Sequence, residues 1–130
     1  MPPALRACCA SRCRLAPATG KLCGVSVHRL CPDELAWVQG AHPLERKKAA
    51  AARPMLVIEF APGFADPNQC LRSHVIYVLS GELCLQLDER VERVAAGQAC
   101  WIDAGTEHRA RNDGEVKVVA FVASDLEVAR

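Results

Sequence analysis

One stretch constrains the fold of this chain more than any other: Gly97-Gln98-Ala99-Cys100-Trp101-Ile102-Asp103-Ala104-Gly105-Thr106-Glu107-His108-Arg109-Ala110-Arg111-Asn112. It reads as a strand, a turn at Ala104-Gly105, and a second strand carrying a histidine just after the turn. The same rhythm starts at Met55. Residues 55–60 form a strand ended by Ala61-Pro62-Gly63, and Asp66-Pro67 turns the loop that follows. Residues 74–79, His-Val-Ile-Tyr-Val-Leu, are dominated by β-branched and aromatic side chains. After Ser80-Gly81-Glu82, the residues Leu83, Leu85 and Leu87 alternate with polar neighbours, as on a strand with one buried face. Asp88-Glu89-Arg90 turns the chain again, and Val91, Val94 and Ala95 lead on to Gly97. Asp113-Gly114 is a hairpin signal before a last strand through Val116, Val118, Val119, Phe121 and Val122. Short strands at roughly ten-residue spacing predict an antiparallel sandwich or barrel.

The 130 residues suit one domain, with 51% hydrophobic residues to fill a core. Aromatics are 5%, so aliphatic side chains must do most of that filling. The net charge of +1 hides an asymmetry. Residues 1–30 hold five of the sixteen bases and no acid, which leaves eleven bases against fifteen acids, a charge of −4, beyond them. A mildly acidic body argues against nucleic acid as a partner. No apolar run approaches the ~20 residues that span a bilayer, so no membrane segment is expected.

Eight cysteines suggest a disulfide framework until they are placed. Cys8, Cys9, Cys13, Cys23 and Cys31 crowd the first quarter, and only Cys70, Cys84 and Cys100 fall in the patterned body. Without a continuous apolar segment near the start, no secretory signal is expected, and a reducing cytoplasmic location is expected with it. Residues 1–24 read as a poorly ordered leader; their Arg-rich, acid-free character leaves a transit peptide as a second reading. Residues 25–30 carry weak strand alternation, and Pro32-Asp33-Glu34 opens a single helical turn. Leu35, Trp37 and Val38 suggest a short strand packing its indole on the barrel. Residues 45–53, charged and Ala-rich, read as a surface connection rather than a helix. The tail from Ser124 is polar, giving a domain over 25–123 and a tail over 124–130.

Two motifs resemble the signatures of the cupin family. Gly97, Gly105, His108 and Asn112 match the second signature, G-x5-P-x-G-x2-H-x3-N, with Asp103 in place of the proline. Gly81, within Tyr77-Val78-Leu79-Ser80-Gly81-Glu82-Leu83, fits the closing glycine of the first signature, G-x5-H-x-H-x3,4-E-x6-G. Counting back from it places Asn68, Cys70 and His74 where the family has His, His and Glu. The resemblance implies an all-β jelly-roll barrel, the double-stranded β-helix, with His108 pointing inward as a metal ligand. It also implies pairing as a homodimer, which would cover exposed sheet edges.

The residues alone support a related chemistry. Asn68 and Cys70 are two apart and would point the same way in an extended segment. His74 begins the next strand, and His108 follows a turn on another strand pair. Cys70, His74 and His108 would offer one thiolate and two imidazoles, a donor set suited to zinc or iron, with nickel or manganese also accommodated. Asn68 is a weak oxygen ligand or a nearby donor. Trp101 and Asp103 share a face beside the expected pocket mouth, where Asp103 would bind a ligand or accept a proton; the alternative is a packed indole and a turn aspartate. Arg72, two before His74, either attracts a carboxylate in the cavity or is a surface side chain. Cys84 and Cys100 read as packing residues, and Arg109 and Arg111 as outward-facing. Tyr77 reads as a core or dimer contact.

Three readings of function stand at this point. The chain binds a single divalent metal inside the barrel and acts on a small molecule, with the reaction unspecified. Or it binds a small ligand without metal, as a sensor. Or it uses Cys70 as a thiol.

Overall fold

Nine strands, some alternating and some almost wholly apolar, make up the computed structural model, which describes residues 26–126. The predicted leader with Cys8, Cys9, Cys13 and Cys23, and residues 127–130 of the predicted tail, lie outside the described residues. The strands are β1 (Val38–Gln39), β2 (Glu45–Ala49), β3 (Met55–Phe60), β4 (His74–Ser80), β5 (Glu82–Gln86), β6 (Val91–Ala95), β7 (Ala99–Ile102), β8 (Arg109–Arg111) and β9 (Val118–Ser124). Every pairing is antiparallel. One sheet runs β1-β2-β3-β9-β4-β7 and the other β6-β5-β8. The only helical turn among the described residues is the predicted one, a 3-10 turn at Pro32–Glu34. No helix of the described residues is long and apolar enough to cross a membrane.

The inward positions of the two sheets make one core. Phe60, Ile76, Val78, Val118 and Ala120 come from the larger sheet, and Leu83, Leu85 and Val94 from the smaller. Phe64, in the loop after β3, stacks on Phe60 with ring centroids 4.0 Å apart. The chain changes sheets between β4 and β5 at Gly81, where φ is +78° and an added Cβ would stand 2.5 Å from the Lys117 carbonyl oxygen. Only glycine fits that close approach without strain.

Asn112 joins the sheets at the other crossing. Its side chain is 1% exposed. Nδ2 donates to the carbonyls of Phe60 (3.0 Å) and Val116 (2.9 Å), and Oδ1 accepts the Gly114 N–H (3.0 Å). This overturns the expected hairpin at Asp113-Gly114. Strands β8 and β9 lie in different sheets, so the bend at Gly114 carries the chain across rather than back. Val116 is correspondingly exposed, and the last strand begins only at Val118.

Two other expectations fail and a third is narrowed. Residues 26–30 form no strand. Residues 45–49 form β2, fully paired with β3. Both faces of β2 are polar, which hides its period: Glu45 and Lys47 face the barrel, while Arg46 forks onto Glu59 of β3 at 2.7 and 3.0 Å on the outer face. The short strand expected around Trp37 shrinks to β1, which Trp37 precedes; its indole does pack on the barrel, beneath two cations of β2, Arg46 at 4.6 Å and Lys48 at 4.8 Å. Lys48 also donates to the Pro32 carbonyl at 2.9 Å, pinning this segment over the strand.

Candidate metal centre

The loop between β3 and β4 returns to the smaller sheet and bonds to the start of β8. The Cys70 N–H donates to the His108 carbonyl (2.8 Å) and the His108 N–H to that of Cys70 (3.1 Å). Residues paired in this way project to the same face, so Sγ and the imidazole are brought together by the backbone itself. His74 arrives from the opposite sheet. It heads the inward row His74, Ile76, Val78 of β4.

The three side chains converge. Cys70 Sγ lies 3.4 Å from His74 Nε2, the imidazole centroids are 5.1 Å apart at 84°, and all three donor atoms lie within 4.8 Å of one another. His108 is buried; Cys70 and His74 are partly buried. On a four-coordinate ion, a thiolate and an imidazole stand roughly 3.5 Å apart. The Cys70–His74 pair has that spacing already, and a modest closure brings in His108.

Each imidazole is held from behind. His108 Nδ1 is 2.8 Å from the Thr106 carbonyl, which can only accept, so Nδ1 carries the proton and Nε2 keeps its lone pair. His74 Nδ1 is 2.7 Å from Ser124 Oγ, which leaves Nε2 toward Cys70. This is the arrangement that fixes ligand rings around metals. Burial, aided by His108 and Arg72, pushes the His74 pKa down to about 4, so its ring is neutral at physiological pH. The donor set therefore fits a divalent ion of borderline softness.

The site opens into a cavity of about 270 Å³ walled mainly by aliphatic and phenyl side chains, among them Leu56, Ile58, Phe60 and Val122. Its charged lining residues are Glu45, Lys47, Asp66 and Arg72. Arg72 does face the cavity, and it also forks onto Asp125 at 3.0 and 2.6 Å.

Three expected ligand contacts lie elsewhere. Asn68 is exposed and does not line the cavity, because Asp66 Oδ1 accepts its N–H (3.0 Å) and the resulting turn breaks the alternation that would have aligned it with Cys70. Trp101 is 59% exposed on the outer face of β7, and its indole N–H donates to Asp103 at 3.0 Å. Both belong to the far side of the strand from the cavity, since Cys100 and Ile102 take the inward positions. Tyr77 is likewise on the outer face. Cys84 and Cys100 pack as expected, and burial raises both thiol pKa values. Ala110 lines the cavity while Arg109 faces solvent and Arg111 pairs with Asp113.

Sequence reasoning missed Ser124, placed in the tail. The alternation Val118, Ala120, Val122 continued two further would have put Ser124 inward. It also missed Glu45 and Lys47, whose strand has no apolar period to detect.

A family model described as the cupin domain matches residues 56–124, the span that carries Cys70, His74 and His108. No curated protein matches the chain. Among solved structures, the chain is similar to KdgF from Halomonas sp., with 23% identity and a TM-score of 0.60 over 75% of this chain and 94% of that one. It is similar to a predicted oxalate decarboxylase from Thermotoga maritima, with 16% identity and a TM-score of 0.63 over 78% of this chain and 100% of the other. It is also similar to AerE from Microcystis aeruginosa, at 19% identity and TM-score 0.61, over 72% of this chain and 46% of that protein. At these identities the likeness concerns the fold. The family match is the stronger finding, and since it covers more than half of the chain, including every strand from β4 to β9, the protein belongs to the cupin family.

Proposed function

We propose that this cupin binds one divalent metal, zinc or iron, through Cys70 Sγ and the Nε2 atoms of His74 and His108, and presents it to a small molecule in the adjoining cavity. The observation that carries this reading is the convergence of three donors from both sheets within 4.8 Å, with each imidazole anchored through Nδ1. When bound, the ion would serve as a Lewis acid or an oxygen-activating centre. The chain's own residues supply the rest. Ser124 and Thr106 fix the ring orientations, the aliphatic walls exclude water, and the depressed His74 pKa keeps protons from competing for Nε2. Metal analysis of protein purified without an affinity tag tests the reading. Stoichiometric zinc, iron, nickel or manganese that is lost in His108→Ala supports it. A metal-free protein with an intact fold points instead to a ligand-binding sensor. Metal-free activity abolished by alkylation of Cys70 points to thiol chemistry.

We further propose a homodimer in a reducing compartment such as the cytoplasm. The outer face of β4 and β7 leaves Tyr77, Leu79 and Trp101 exposed, and a second copy would cover them. Among the described residues Cys70, Cys84 and Cys100 are free thiols, as a reducing compartment would keep them. Sedimentation at micromolar concentration tests the dimer, and a clean monomer would count against it.

A further inference from the structure

We infer that the ligand of this cavity carries a carboxylate, that Arg72 receives it, and that Asp125 holds its place until it arrives. This deepens the reading above, since it rests on the same cavity as the proposed metal.

The geometry points to exchange. Arg72 lines the cavity and precedes His74 by two residues. Its guanidinium meets Asp125 through Nε to Oδ1 at 3.0 Å and a terminal nitrogen to Oδ2 at 2.6 Å. That fork-on-fork arrangement is how arginine grips any planar carboxylate. Asp125 therefore stands in for the acid end of a ligand.

The pair is also made to open. Both side chains are more than half exposed, so solvent already competes for the contact. Asp125 has φ +55°, the only positive φ among the described non-glycine residues, in a region that L side chains rarely adopt. Its N–H is held by the Ser73 carbonyl (3.0 Å), and the next N–H by Ser73 Oγ (3.0 Å), so the backbone stays anchored when the side chain swings away. A carboxylate arriving from the cavity side takes over the fork and frees Asp125 to solvent.

The remaining charges of the cavity do not offer this. Glu45 and Lys47 share the inward face of β2 and oppose each other in sign. Asp66 repels an anion and already accepts the Asn68 N–H. Arg72 is the cation that both adjoins the imidazoles and presents a fork. The cavity volume of about 270 Å³ lies just below the range for drug-sized ligands, so the acid is a small one.

The test titrates 2-hydroxybutyrate, with 1,2-butanediol as its uncharged match, into the full chain, both as zinc-loaded protein and after chelation. Binding is read by backbone amide NMR shifts and calorimetry. The wild type should prefer the acid. Arg72→Ala should weaken the acid about ten- to a hundred-fold, the worth of a charge-assisted fork, and leave the diol unchanged. Asp125→Asn should tighten the acid about two- to five-fold, because it removes an internal competitor of exposed ion-pair strength. That gain separates the proposal from a purely structural clasp, whose loss would weaken binding or leave it alone. An Arg72→Ala variant that binds the acid like the wild type, or an Asp125→Asn variant that fails to tighten it, overturns the inference. If Arg72→Ala does not fold, the Asp125→Asn arm decides alone. A chelated protein that still discriminates acid from diol supports Arg72 even if the metal reading fails. A protein that holds zinc without preferring the acid keeps the metal reading and refutes this one.

Discussion

Acidification should weaken the metal-free fold through His74, and the size of the effect follows from its surroundings. The ring is held neutral by burial and by its neighbours His108 and Arg72, with a folded pKa of about 4 against an ordinary value of 6.5. The folded pKa is depressed, so the unfolded chain accepts a proton that the folded one refuses. Stability is therefore complete above pH 6.5 and is lost as pH falls from 6.5 toward 4. Full linkage across that gap would be about 3 kcal/mol. The ring is only partly buried, and solvent screening reduces this to roughly 1–2 kcal/mol, of which about 1 kcal/mol is lost by about pH 5. The assay is urea unfolding of chelated protein at about pH 7.5 and about pH 5, for the wild type and His74→Gln. Carboxylate titrations are common to both proteins and cancel in the difference. The stability advantage of the wild type over the variant should shrink by about 1 kcal/mol between the two pH values. Equal pH dependence in the two proteins would refute the argument that desolvation holds His74 neutral.

Three further outcomes follow from the same structure. Ser124→Ala should lower zinc affinity about ten- to a hundred-fold without changing the donor set, measured by competition with a chromophoric chelator. Asn112→Ala should cost about 3 kcal/mol in urea unfolding, since it removes three hydrogen bonds that join β3, β8 and the crossing to β9. Gly81→Ala should cost at least about 2 kcal/mol or prevent folding, because the new methyl meets the Lys117 carbonyl in a left-handed turn; unfolding midpoints check it.

The legible parts of this fold were the strands with one apolar face, as over residues 82–87, and the short apolar runs, as over residues 55–60, with glycines at the turns marking the ends. Strand β2 is invisible by the same logic: its inward residues are Glu45 and Lys47, and its outer residues Arg46 and Lys48 are neutralised by Glu59 or laid on Trp37. Cys84 breaks the pattern in the other direction, being buried on the outer side of β5 near Arg111 and Asp113. At the site, Cys70, His74 and His108 were legible from residue type and spacing, and the structure brings them together. Asn68, Trp101 and Asp103 stand outside the cavity of these donors, because side-chain direction through a turn depends on local hydrogen bonds, which alternation cannot foresee. The pairing of Arg72 with Asp125 joins residues far apart in sequence, and nothing short of the folded chain reveals it.

The site's chemistry turns on where its donors come from. Reading the first signature in register put Asn68, Cys70 and His74 together, a set containing only one strong nitrogen ligand. The second signature adds His108 to that set, and the fold brings it beside Cys70 through their backbone bridge across strands. Asn68 then drops out and no oxygen donor takes its place among the three. A thiolate with two imidazoles disfavours magnesium and calcium, which seek oxygen ligands, and favours zinc or ferrous iron. The cavity adjoins the three donors and counts Arg72 among its lining residues. With the proposed metal bound, a ligand entering there would meet a Lewis acid and a guanidinium together, which is why the metal and the carboxylate are best tested on one protein rather than separately.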